Sequence, residues 1–205
     1  MIVTAAPGAA LVALDDALEA NERDALTLVA HLTEAQGGWR PAPGSWSIAE
    51  CLDHLATANR VYLDAMTLPA ARALAAGRRR RRAALPGVIG RWFIGSLEPP
   101  ATPLSRRKAP HLIRPRDTPP LSDAVAAFLA SQNDVRGFLR RYADIDLAGV
   151  RFPNPFVRGL RFSLATGLHV IAAHERRHLW QAWQVAGALG VEKALQARQE
   201  SGGKN

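Results

Sequence analysis

Residues 172–181 read AAHERRHLWQ, and His174-Glu175-Arg176-Arg177-His178 within them fits the H-E-x-x-H pattern. Two histidines four residues apart stand on one side of a helix, so their imidazoles can converge on one divalent ion. A metalloprotease of the zincin type would take its third ligand from further along the chain. Here the downstream residues offer Glu192 and Glu200, in a short final helix and a polar tail, and no alternating strand pattern supplies a substrate-binding sheet edge. The protease reading is set aside, and the third ligand has to come from elsewhere.

His54, in AECLDHL, is the candidate. At about 100° per residue, His174 and His178 lie about 40° apart on a stripe shared with Gly167, Val170, Ile171, Gln181 and Val185. That stripe is largely apolar and faces a core, where unpartnered imidazoles are costly. His54 shares its own inward face with Glu50, Cys51, Ala58 and Val61. Three neutral imidazoles from two helices leave coordination positions open, as in catalytic rather than structural sites, and an all-nitrogen set suits Zn²⁺ or Ni²⁺.

Other polar residues near these positions have two readings each. Gln181 lies on the core stripe and needs a partner, which makes it a candidate to orient a ligating histidine. Glu50, one turn before His54, could do the same, although a capping box already accounts for it. Glu175 lies about 80° off the bisector of the two histidines. It is the one candidate for a catalytic proton relay, against a plainer reading as an ion pair with a neighbouring arginine. His169 falls on the far side of the helix and reads as a surface or hydrogen-bonded residue. Cys51 reads as a small buried hydrophobe.

Helices must position these groups. Leu11, Leu14, Leu18, Ala25, Leu28, Val29 and Leu32 recur at three- and four-residue steps and predict a first helix over about 9–36, stopped by Gly37-Gly38. Ser47 and Glu50 form an S-x-x-E box that starts a second helix, reaching as far as Gly77. A third is predicted over about 122–143, capped by Ser122, and a fourth from Ser163 through about Ala188, with a short helix over about 190–198. Seven of the fourteen prolines fall between Pro99 and Pro120, so residues 86–120 are expected to be an extended excursion rather than a helix. The expected fold is all-α: a four-helix bundle in a single domain over 1–205, with a long Pro-rich crossover at about 86–120 and a polar tail at about 199–205.

Composition narrows the setting. Of 205 residues, 48% are hydrophobic and 21% charged, as in an ordinary globular chain. One cysteine suits a reducing compartment, and the first twenty residues lack a basic leader segment, so a cytoplasmic location and no membrane span are expected. Net charge is +8, and Arg78–Arg82 form one run. No aromatic residues interleave that run and no nucleic-acid-binding motif appears, so a solvated arginine-rich segment is expected and a nucleic-acid partner is not.

WRPAPGSWSIAECLDHL, followed far downstream by LHVIAAHERRHLWQ, resembles the DinB/YfiT-like superfamily, whose members pair a W-S-x-x-E-x-x-x-H-L helix start with a late H-x3-H. The resemblance covers nearly the whole chain, and RWFIGSLEPP with RRKAP resembles a longer subgroup. It implies an up-down-down-up bundle with the crossover between the second and third helices. It also implies a divalent metal on His54, His174 and His178. Relatives of this kind include S-transferases that use low-molecular-weight thiols such as bacillithiol and mycothiol, and a mycothiol-dependent isomerase. The resemblance implies a small-molecule substrate, a thiol as a second cofactor, and homodimers, but does not fix the reaction; an ion on three histidines with open positions could activate a thiol for transfer or a water for hydrolysis. A non-catalytic metal- or ligand-binding bundle of the stress-response kind, and a basic nucleic-acid-associated protein, are the alternatives.

Overall fold

In the computed structural model, residues 8–100 and 109–190 are described. They form α1 (Ala9–Val29), α2 (Glu34–Gly38), α3 (Ile48–Ala75), α4 (Val88–Gly95), α5 (Leu121–Arg141), β1 (Arg151–Pro153), β2 (Arg161–Ser163) and α6 (Leu164–Ala188). The expected helix at 190–198 and the polar tail lie outside the described residues.

Two apolar clusters fix how the four long helices run. One gathers Leu11 and Leu14 of α1, Met66 and Ala70 of α3, Val135 and Phe138 of α5, and Leu164 and Leu168 of α6. The other gathers Ala25 and Leu28, Leu52 and Leu55, Leu121 and Ala124, and Leu179 and Ala182. The first cluster thus takes the start of α1 and α6 and the end of α3 and α5. Hence α1 and α6 run one way and α3 and α5 the other, which is an up-down-down-up four-helix bundle. Because α3 and α5 are parallel, the link between them starts and finishes at opposite ends of the bundle. Gly167 lets α3 and α6 approach closely: a Cβ there would lie 2.6 Å from the Met66 sulfur and 2.8 Å from the Phe152 ring.

Local signals explain the ends. At α3 both halves of the capping box form, Ser47 Oγ accepting from the Glu50 amide and Glu50 accepting from the Ser47 amide. Ser163 Oγ accepts from the Thr166 amide and caps α6.

Four expectations need correction. The first helix stops at Val29, because Thr33 and Gln36 make a second capping box that starts α2, so Gly37-Gly38 close α2 instead. Ser122 does not cap α5, which begins at Leu121 after Pro120; the amides of Leu121 and Ser122 donate to the Glu34 carboxylate, so α2 supplies the cap from outside. The excursion is not wholly extended, since its proline-free part 88–95 forms α4. Two three-residue strands form an antiparallel hairpin in which Phe152 pairs with Phe162, both buried. Strands this short carry too little alternation to register in a sequence. Among the described residues, no helix is long and apolar enough to cross a membrane.

Candidate metal centre

The folding signals above bring His54 of α3 to His174 and His178 of α6. Their ligand atoms all lie within 4.8 Å of one another, and the Nε2 atoms of His54 and His174 are 3.2 Å apart. Ring centroids are 4.4–4.9 Å apart for the three pairs. His54 and His178 are buried and His174 is partly exposed, so the cluster opens on the His174 side.

Partners on the far side of two rings set their tautomers. A carbonyl can only accept, so the short contact between His54 Nδ1 and the Ile113 carbonyl requires the proton on Nδ1 and leaves Nε2 a bare lone pair. His178 Nδ1 donates to Gln181 Oε1 at 3.0 Å, with the same result. Burial holds the His54 imidazole down to about 4, only partly offset by the Ile113 carbonyl. It holds His174 and His178 well below the usual histidine range, with the neighbouring rings adding to the effect. Neutral His54 and His178 thus each keep a bare Nε2, and the neutral His174 ring meets His54 nitrogen to nitrogen. Two imidazole nitrogens on one tetrahedral zinc at 2.0–2.1 Å would stand about 3.3 Å apart, so the observed 3.2 Å fits a shared cation.

Surrounding residues hold this arrangement. Trp46 stacks against His54 at 4.7 Å and His178 at 5.5 Å between centroids and covers one side. Ile113 belongs to a 3-10 turn at His111–Ile113, which is tied to α3 where Asp53 accepts from the backbone and side chain of Arg116 at 2.8 and 2.7 Å. On the other side, Glu98 pairs with Arg176 of α6. The crossover is therefore tied to both α3 and α6.

Of the residues singled out by sequence, Gln181 contacts a ring of the cluster. Glu50 is occupied otherwise: besides the cap, its carboxylate takes a bidentate pair from Arg40 at 2.8 and 2.6 Å. Cys51 is fully buried, and burial pushes its thiol up. His169 Nε2 contacts the Ala84 carbonyl at 3.1 Å.

Glu175 departs from expectation. It makes no ion pair with its neighbours, and Arg176 pairs with Glu98 instead. It is fully buried in the middle of the bundle, where Asn21 of α1, Asn59 of α3 and Gln132 of α5 each donate to its carboxylate at 2.9 Å. The reason is rotation. Leu164, Leu168, Glu175, Ala182 and Ala186, all at 0%, form the centre of the core stripe on α6, and the histidines stand on its flank. An apolar stripe read as centred on the histidines is about 80° off. Burial pushes this carboxyl up to about 7, against the lowering effect of the three amides.

Sequence reasoning missed Trp46, Ile113, Asp53, Arg116 and the three amides. Asn21 had a signal, because it occupies a core position in the repeat Leu14, Leu18, Asn21, Ala25, Leu28. Ile113 had none, since it acts through its backbone carbonyl.

Comparison with known proteins agrees with this geometry. Among solved structures, YfiT from Bacillus subtilis, described as a probable metal-dependent hydrolase with an unusual four-helix bundle topology, is similar at a TM-score of 0.53 and 15% identity. The match covers 88% of this chain and 87% of that one. No curated protein sequence matches. The DinB superfamily model matches residues 17–182, a span that includes all three histidines. The chain belongs to the DinB superfamily.

Proposed function

We propose that this protein is a divalent-metal-dependent enzyme, in which His54, His174 and His178 hold the ion and a small nucleophile is activated beside an electrophilic small-molecule substrate. The observation that carries this reading is the convergence of three neutral imidazoles, two of them with their outer nitrogens already bonded. A divalent ion bound there supplies Lewis acidity, which lowers the pKa of a coordinated water or thiol.

The chain's own residues do the remaining work. Ile113 and Gln181 hold the rings in the tautomer that can ligate, and Trp46 keeps water from one side. Of the crossover, residues 111–116 lie against the histidines, through the Ile113 carbonyl and the Arg116–Asp53 contact. Glu175 faces away from the rings, so no carboxylate from the histidines' own helix serves as a base there. That favours a nucleophile needing little help once coordinated, such as a low-molecular-weight thiol. Hydrolysis of an ester or amide is the second reading, favoured by the likeness to a protein described as a probable hydrolase.

The purified chain, loaded with zinc or nickel, should bind one equivalent and should turn over electrophiles with an added thiol, or esters without one. Thiol dependence separates the two reactions. A wild-type chain that retains no divalent ion after loading would overturn the proposal.

A further inference from the structure

We propose that the end of the bundle away from the histidines is a docking surface for anionic lipid bilayers, made by the outward face of α4 and a belt of arginines around it. The helix is seated from one side only. Its Phe93 packs on Phe162 of β2 at 5.2 Å, and Gly90 lies close enough to Thr166 of α6 that a Cβ would clash at 2.7 Å. A surface helix ordinarily turns polar residues outward. Here the outward residues, beside Arg91, are Val88, Ile89 and Trp92, exposed by 72%, 66% and 74%, with Leu85 just before them at 51%. An apolar face exposed on a helix that is fixed in place marks an interaction site.

Charge identifies the occupant. Residues 72–92 and 140–161 include the end of α3, the arginine run, α4, the end of α5 and the hairpin. The run is tied to residues 144–146 by backbone bonds, which gathers these segments at one end. They carry twelve arginines against two acids, Asp144 and Asp146, a net of +10. The whole chain nets +8, so everything else is net negative by two. Exposed tryptophan and aliphatic residues within a dense arginine belt are complementary to a bilayer interface, where rings enter the headgroup zone and guanidiniums meet lipid phosphates. A second copy of the chain is disfavoured, since a two-fold pairing on this face would set one belt against the other. Nucleic acid would use the arginines but leave three clustered apolar side chains without a role. Gly90 sits beside Thr166, eight residues and about 12 Å before His174 along α6, so the surface is displaced from the histidines toward the other end of the bundle.

The test is co-sedimentation of the full chain with vesicles of phosphatidylcholine alone or mixed with phosphatidylglycerol. Binding is expected to the anionic vesicles only, and to be released at 0.5 M salt, where the Debye length shrinks to a few ångströms. A Trp92→Ser, Ile89→Ser variant and an Arg79→Ser, Arg81→Ser variant should each weaken it about tenfold, with helical circular dichroism and metal content unchanged. The proposal is overturned by failure to sediment with anionic vesicles, or by anionic binding that the Trp92 variant leaves intact. Retention on duplex DNA that depends only on the arginines, without vesicle binding, would assign the surface to nucleic acid. A dimer dissolved by the Trp92 variant, without vesicle binding, would assign it to self-association.

Discussion

His174 and Glu175 are neighbours on α6, yet they belong to two polar clusters of opposite kind. In one, three neutral imidazoles converge, two of them with their outer nitrogens already bonded. In the other, a carboxylate is met by three amide donors, one from each of the other long helices. The first is a set of nitrogens that a divalent cation would complete. The second is an acceptor already supplied with donors, and it fixes the register of four helices at once. A buried polar residue is thus a candidate for ligand binding when its partners leave it incomplete, and a structural element when they complete it.

The comparison breaks most sharply if a ligand is removed. His54→Ala or His174→Ala should lower divalent-metal affinity more than a hundredfold, beyond the roughly 10–100-fold usual for residues that only orient a ligand. Isothermal titration would read it. Glu175→Ala should instead keep the metal equivalent and destabilise the fold by about 3 kcal/mol, because it leaves three buried amides without their acceptor. Glu175→Gln should cost less. Asn59 Oδ1 and Gln132 Oε1 are buried with no partner, so either amide can turn over to accept from the new one. Denaturant unfolding of the two variants measures the difference.

Acid titration sharpens the same contrast. His54 is held at about 4 in the folded chain, below its unfolded value, so its contribution is present above about 6.5 and lost as pH falls toward 4. For the metal-free protein that loss is about 3 kcal/mol. Glu175, raised to about 7, has the opposite sign: its contribution is full below its unfolded value near 4.5 and lost as pH rises through 7. Removing it in Glu175→Gln should therefore steepen the fall in stability on acidification. A slope equal to wild type would contradict the assignment. The smallest effect belongs to Gln181→Ala, which should weaken metal binding about tenfold by freeing the His178 ring.

The sequence was most readable where a chemical rule acts over a few residues. Ser47 with Glu50 marked the start of α3, and the three histidines were legible as a set because two lie on one helix turn and the third follows that cap. What escaped depends on contacts between distant segments. Glu34 caps α5 across 87 residues, and Ile113 orients His54 across 59. Glu175 was misplaced for a different reason. A stripe of Ala, Gly and Val is nearly uniform around α6, so its centre could not be read to within one residue's rotation. Pairing with Asn21, Asn59 and Gln132 decides that rotation, and those partners lie on three other helices.

X-ray absorption spectroscopy of the zinc-loaded protein tests the central claim most directly. The account predicts three imidazole nitrogens at about 2.0–2.1 Å, remaining positions filled by exchangeable light atoms, and an unchanged spectrum in Glu175→Gln. Fewer than three imidazoles, or a shell that changes when Glu175 is replaced, would contradict it.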